Sequence, residues 1–228
     1  MAELQRLKQL NEFGQEYSFK STGTSVNTAS GPQQINESDL FESVFESIST
    51  VQLSEREYPI PGMNDAKELI RGAVQFMARD EVEANFRPPA EAGVDDLTMQ
   101  QIRPETFGKT DFDVSGQAAD STYEVVDDGA GNAVSLDDDE QVIVTDLIEY
   151  NSDNIATAVE FTVDGDNKEA ETMRPSIRAG DLQVYPLHTP MYAKEELRIE
   201  AKAEDAGDSE LTPTGVHIAK GDLVGDLN

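Results

Sequence analysis

Apolar positions in the first third of the chain recur at helical spacing, and in the second half they fall at every second residue. Leu4, Leu7, Leu10 and Phe13 stand three apart and predict one stripe of a short helix. The stretch that follows, GQEYSFKSTGTSVNTASGPQQ, is rich in Ser, Thr, Gly and Gln and predicts an extended arm or linker. Ser38 then reads as the N-cap of a helix carrying Leu40, Phe41, Val44, Phe45 and Ile48 on one face. A further helix is expected over residues 65–79, capped by Asn64 and striped by Ile70, Ala73, Val74 and Met77.

From about Asp111 the period becomes two. Phe112 and Val114 alternate with Asp111 and Asp113, and Ile155, Val159, Phe161 and Val163 point one way with Glu160 and Asp164 opposite. Leu197, Ile199 and Ala201 alternate with Arg198, Glu200 and Lys202. Val216 and Ile218 flank His217 in the same manner, which places the histidine on the outward side. Val142, Val144, Ile148 and Tyr150 predict a longer, more buried strand. Short alternating strands separated by Gly, Pro, Asp and Asn predict an antiparallel β-sandwich or barrel. The chain is expected to be mainly β, with an N-terminal arm at 1–34, a partly helical region at 35–108 and the sandwich at 109–228.

Charge changes this picture. The 228 residues carry 46 acids against 17 bases, a formal net charge of −29, yet 37% of them are apolar. A disordered acidic tail would lack that apolar content, so the chain should fold. Its folded radius of about 22 Å makes the self-energy of that charge roughly 80 kcal/mol in pure water. Screening lowers it to about 20 kcal/mol at ~0.15 M salt and about 10 kcal/mol at ~1 M. The unfolded chain repels itself too, so only part of this acts on stability. Even a part rivals a total stability of about 5–15 kcal/mol, so the composition suits molar salt and a halophilic host. The excess is uneven. Residues 1–34 balance three acids with three bases, whereas residues 95–166 hold 19 acids against Arg103 and Lys109. Without cysteine there is no disulfide framework and no thiolate ligand or nucleophile. MAELQRLKQLNEF has charges inside its apolar pattern, unlike a secretory signal, and no run approaches the ~20 apolar residues of a membrane helix. No basic patch is present to displace counterions from nucleic acid, so direct nucleic-acid binding is not expected.

The loop DDGAGNAVSLDDDE raises metal chemistry. Its Asp127 and Asp128 are adjacent and Gly129 follows at once, which breaks the EF-hand register. Gly129 and Gly131 lack the third glycine of a dinucleotide loop, and the carboxylates after them would repel a pyrophosphate. A hairpin connection with a hydrated rim accounts for the same residues. Asp127, Asp128, Asp164 and Asp166 are the candidates for a cation site. His188 and His217 lie 29 apart and form no metal motif, and neither GxSxG nor a P-loop occurs. Asn36-Glu-Ser38 fits the N-glycosylation pattern, with Ser38 better explained as the helix cap. With no tryptophan for sugar stacking and no catalytic motif, the expectation is a protein that is not an enzyme and needs no cofactor.

The block from Gln141 onward, QVIVTDLIEYNSDN, IATAVEFTVDGDN, RPSIRAGDLQVYPLHTPMYAKEELRIEAK and TGVHIAKGD, resembles the small jelly-roll domains of viral structural proteins. Tyr150-Asn151, Ile177 to Gly180, Pro190 and Leu197 fill the positions that carry the likeness, over about 85 residues. With the acidic composition, it is similar to the larger major capsid protein of tailless icosahedral haloarchaeal viruses. The resemblance implies a self-assembling capsid component of the virion, made in the cytoplasm of a halophilic host. Its partners would be copies of itself and other capsid proteins. The neutral arm, through Leu4, Leu7, Leu10 and Phe13, would dock a neighbour, the virion interior or an inner membrane. The helical stretch 38–86 departs from a minimal jelly roll. It leaves a decoration, turret or tail-associated protein of a tailed virus, or a halophilic β-sandwich binding module, as the alternatives.

Overall fold

A computed structural model describes residues 24–28, 31–35, 37–53, 56–78, 85–149, 156–168, 171–172 and 183–221. The chain divides into two compact units. The larger comprises residues 60–63 and 101–217; the smaller takes 1–59, 64–100 and 218–228.

In the smaller unit, β1 (Thr24–Thr28) and β2 (Gly31–Ile35) pair as an antiparallel hairpin, within a stretch expected to be an extended arm. Backbone pairing needs no apolar pattern, so its polar sequence gave no warning. Helix α1 (Glu37–Ile48) buries Phe41, Val44 and Phe45, as the stripe predicts. It starts at Glu37, which puts Ser38 inside the first turn and not at the cap. A second hairpin joins β3 (Thr50–Leu53) to β4 (Arg56–Pro59). The helix expected at 65–79 is divided. Helix α2 (Pro61–Asp65) begins in the larger unit and contains Asn64, and α3 (Lys67–Phe76) follows an N-cap at Ala66 that makes no side-chain bond. The predicted face survives the division: Leu69, Ile70, Ala73, Val74 and Met77 are buried. Phe41 stacks on Phe45 at 5.7 Å and tilts against Phe86 at 6.3 Å. Above these rings Glu42 accepts from both Lys67 and Arg71, and the Lys67 hydrogen bond is the main cause of its lowered pKa.

The larger unit is an antiparallel β-sandwich. One sheet has the order β11-β10-β14-β7, with β12 added to β10 and β8 to β14. Its strands are β7 (Ser121–Val126), β8 (Val134–Ser135), β10 (Ala156–Val163), β11 (Asp166–Asn167), β12 (Glu171–Thr172) and β14 (Glu196–Ala203). The other has the order β13-β9-β15-β5, with β6 on β15. It uses β5 (Leu97–Gln101), β6 (Asp113–Gln117), β9 (Glu140–Glu149), β13 (Gln183–Ala193) and β15 (Gly207–Lys220). The end of β15, residues 218–220, belongs with most of β5 to the smaller unit, where Thr98 Oγ1 donates to the Gly221 carbonyl at 2.9 Å.

The core between the sheets takes the predicted inward positions of β10 and β14 and Val142 and Val144 of β9. Leu147 enters it where the pattern predicts Ile148, and Tyr150 lies outside the described residues. Val142, Val144 and Leu147 of β9 and Val159, Phe161 and Val163 of β10 meet Met191 and Ala193 of β13 and Leu197, Ile199 and Ala201 of β14. Each such aliphatic or aromatic side chain contributes about 1.5–3 kcal/mol on burial. Phe107 and Phe112, 6.3 Å apart, belong to the same core.

Two expectations fail here. β7 and β9 lie in different sheets, so the acidic loop between them is a crossover between sheets and not a hairpin; β8, inside it, pairs with β14. His217 is 4% exposed, because β15 is buried on both faces from Pro213 to Ala219 and the alternation around it does not mark an outward side. β9 is buried on both faces too, and its second face is partly explained within this unit. Gly62 donates its N–H to Asp146 Oδ1 at 2.8 Å, and a Cβ on Gly62 would meet the Thr145 carbonyl at 2.4 Å. Only glycine admits this approach.

Candidate functional site

The docking residues expected from the sequence, Leu4, Leu7, Leu10 and Phe13, lie outside the described residues. The four aspartates nominated for a cation lie within them, in two places.

At the crossover, the backbone after Asp128 turns through Gly129 and Gly131 at φ +82° and +84°, so its amides point back at the acids before it. Asp127 Oδ2 accepts from Gly129 N at 2.9 Å and Gly131 N at 3.0 Å, and its Oδ1 accepts from Lys109 Nζ at 3.0 Å. Asp128 Oδ1 accepts from Ala130 N and Asn132 N, and its Oδ2 from the Asn132 side chain. Burial pushes the Asp127 pKa up, but the Lys109 ammonium and the Gly131 and Gly129 amides outweigh it, and the net shift is downward. These carboxylates organise their own loop, as Asp and Asn side chains do in turns.

Asp164, at φ +50°, plays a comparable part at a distance in sequence. Its Oδ1 accepts from the amides of Lys194, Glu195 and Glu196 at 2.9, 2.8 and 3.3 Å, tying the β10–β11 turn to the β13–β14 turn. Asp166 stands apart from it, 80% exposed and 3.7 Å from Lys168 Nζ. The structure thus does not bring the four candidates together, and among the described residues no group of three His, Asp or Glu could hold a metal ion. The local signal for this role was available in the Asp-Asp-Gly-x-Gly and Asp-Gly-Asp-Asn turn sequences.

Polar groups that the sequence analysis did not select line β9 and its neighbours. Thr145, Asp146 and Glu149 are fully buried, and Thr145 Oγ1 donates to Asp146 Oδ2 at 2.6 Å. Tyr123 donates to Ser209 Oγ at 2.7 Å. Burial pushes both Tyr123 and Tyr185 up to about 12, and the Glu149 carboxylate adds to the effect on each. His217 Nε2 lies 3.6 Å from Glu140 Oε1, and this imidazole is the main cause of the lowered Glu140 pKa. A buried imidazole beside a carboxylate is two-thirds of a hydrolytic triad, but among the described residues no hydroxyl makes a hydrogen bond to either ring nitrogen. Tyr192 of β13 donates to Gln141 of β9, the residue next to Glu140. Tyr123–Ser209 joins β7 to β15 and Tyr192–Gln141 joins β13 to β9, bonds that hold strands in register. His217, by contrast, lies beside Glu140 with no hydrogen bond to either ring nitrogen among the described residues.

The exposed face of the β10-β14-β7 sheet is different in kind. The register sets Glu160 opposite Glu200, and Glu200 opposite Glu124, so three like charges share one row. Such a row is destabilising in itself. Arg198, one position along on this face, bridges Glu124 and Glu200. Burial, and then the neighbouring glutamates, raise the Glu200 pKa against the pull of Arg198. A shallow cavity of about 60 Å³ lies beside the row, lined by Glu160, Thr162, Asn167, Lys168, Arg198 and Glu200 among others. The next row holds Ala158, Lys202 and Thr122.

No family model and no curated protein matches the chain. Among solved structures it is similar to the crystal structure of the infectious bursal disease virus VP2 subviral particle, at 11% identity and a TM-score of 0.32. The match covers 57% of this chain and 34% of that one, so the chain spans about a third of its length. Similarity of that size bears on neither the activity nor the partners of this chain.

Proposed function

We propose that this protein is a virion structural protein that builds the capsid shell of a halophilic archaeal virus by self-assembly. The observation that carries the proposal is the coincidence of the sandwich with the block that resembles viral jelly rolls. β9, β10, β13, β14 and β15 fall on the segments from Gln141 onward that bear the resemblance, with Pro190 on β13 and Leu197 on β14. Tyr150-Asn151 and Ile177 to Gly180 lie outside the described residues. The net charge of −29 supports a molar-salt setting, in which a like-charged subunit can meet its neighbours. The role is structural and not catalytic, a reading supported by the loop aspartates and the β9 polar groups bonding to their own fold. Its partners are copies of itself and other capsid proteins, and its place is the virion. The arm at 1–34, with no net charge, would contact neighbours, the virion interior or an inner membrane.

Analytical ultracentrifugation in about 3 M salt, with stepwise dilution, tests this reading. Large oligomers or shell-like particles that dissociate as salt falls are expected. A compact monomer at every salt concentration would overturn it.

A further inference from the structure

The larger unit holds 27 Asp and Glu against 8 Lys and Arg. Most of its surface therefore repels a second copy. The exposed face of the β10-β14-β7 sheet does not follow that composition. Across its central rows it carries Glu124, Glu160 and Glu200 together with Arg198 and Lys202, and Lys168 stands at its edge beside Asp166. Arg198 is committed to Glu124 and Glu200, and Lys168 stands 3.7 Å from Asp166. That leaves Glu160 and Lys202, both exposed, without an ion-pair partner among the described residues. One unpaired anion and one unpaired cation sit on adjacent rows of one sheet face.

We propose that this face is an isologous contact with a second copy of the chain, in which Lys202 of each copy reaches the Glu160–Glu200–Glu124 row of the other. The register makes the geometry possible. A two-fold axis running across the strands, between the glutamate row and the Lys202 row, superposes each row of one copy on the other row of its mate. Every Lys202 then meets glutamate and every glutamate row gains a cation, so both copies of the contact are attractive. An axis along the strands would set Lys202 against Lys202 instead. The contact relieves the like-charge row that the monomer leaves under-compensated, and it needs salt only to screen the acids around it. The inference rests on the self-assembly reading above and names one of its contacts.

The test is sedimentation of the full chain in about 3 M sodium chloride, comparing wild type with Lys202→Glu, Glu160→Lys and the double exchange. Each single reversal turns two attractive contacts into repulsive ones and should weaken self-association at least about tenfold. The double exchange restores complementarity and should return it to within about threefold of wild type. Both side chains are exposed, so the thermal midpoint of each variant should stay near that of wild type, which separates loss of contact from loss of fold. Wild type and Lys202→Glu assembling alike would overturn this contact and leave the capsid reading standing. Single variants that weaken assembly without rescue by the double exchange would assign these residues to a different partner surface and overturn the isologous contact. A wild-type monomer at every salt concentration would overturn both.

Discussion

β9 and β14 are both central strands of the sandwich, one in each sheet, and they treat charge in opposite ways. β14 alternates: Leu197, Ile199, Ala201 and Ala203 enter the core while Arg198, Glu200 and Lys202 stay outside. β9 has no outside. From Gln141 to Glu149 every residue is buried, including Thr145, Asp146 and Glu149. A carboxylate on β14, such as Glu200, is partly buried but keeps contact with water and shares its charge with Arg198 and salt. A carboxylate on β9 must be bonded in place, because desolvation without partners costs several kcal/mol. The same residue type is thus a surface charge on one strand and part of the architecture on the other.

The comparison is broken most directly at Asp146, which accepts from Gly62 N and Thr145 Oγ1. Asp146→Ala should lower the unfolding free energy by about 2–4 kcal/mol, because it leaves the buried Gly62 N–H without its acceptor and a void where the carboxylate stood, while Thr145 Oγ1 keeps the Thr214 carbonyl. Denaturant unfolding in high salt measures this, and a loss below about 1 kcal/mol would mean that β9 has an open face after all.

Asp127 sits between the two extremes, 8% exposed as a residue and bonded to Lys109 and two loop amides. Asp127→Asn should cost about 1–3 kcal/mol at neutral pH. Because the folded pKa is depressed below the usual 3.8, the carboxylate's stabilisation is fully present above that value and is lost as pH falls through the lower folded value. The variant and the wild type should therefore converge in stability as pH falls through that lower folded value. A gap that persists unchanged into strong acid would mean that the charge itself contributes nothing.

The smallest effect is expected on β14. Glu200→Gln removes the centre of the like-charge row but also one carboxylate of the Arg198 pair. These offset, and stability should move by no more than about 0.5 kcal/mol, towards stabilisation at low salt and towards zero in molar salt. Thermal unfolding across a salt series distinguishes this from a structural role, which would give a loss at every salt concentration.

The strands that can be read in the sequence are those with a wet face. The alternation in ELRIEAK locates the core side of β14 residue by residue, and the stripe of α1 does the same for Phe41, Val44 and Phe45. Where both faces are dry, period two carries no information about direction. That is why the pattern puts His217 outside when it is inside. The polar residues of β9 escape notice for the same reason, since an Asp in an apolar run looks like an interruption until its donors are known. Gly62 supplies one of those donors from 84 residues away, at a spacing no local pattern encodes. The β1–β2 hairpin is held by backbone pairing and leaves no apolar trace. The aspartate loops stand out in the sequence, but their chemistry is legible there only as a cluster of acids. The direction of the Gly129 and Gly131 amides is what turns a suspected cation site into a self-satisfied turn.

The crossing of strands between sheets sets a timetable for the chain. Among the described strands β7 pairs only with β14, and the Tyr123–Ser209 and Glu124–Arg198 contacts close over 86 and 74 residues. β9 likewise awaits β13, and β10 awaits β14. Neither sheet can complete itself until β13, β14 and β15 have been made, so the early sandwich strands emerge with unpaired edges and apolar faces exposed. Loop-closure entropy of that size makes such topologies fold slowly. During that interval the dense acids keep unfinished chains from one another. Charge then does for the emerging chain what a chaperone does, and the salt concentration sets how far that protection reaches.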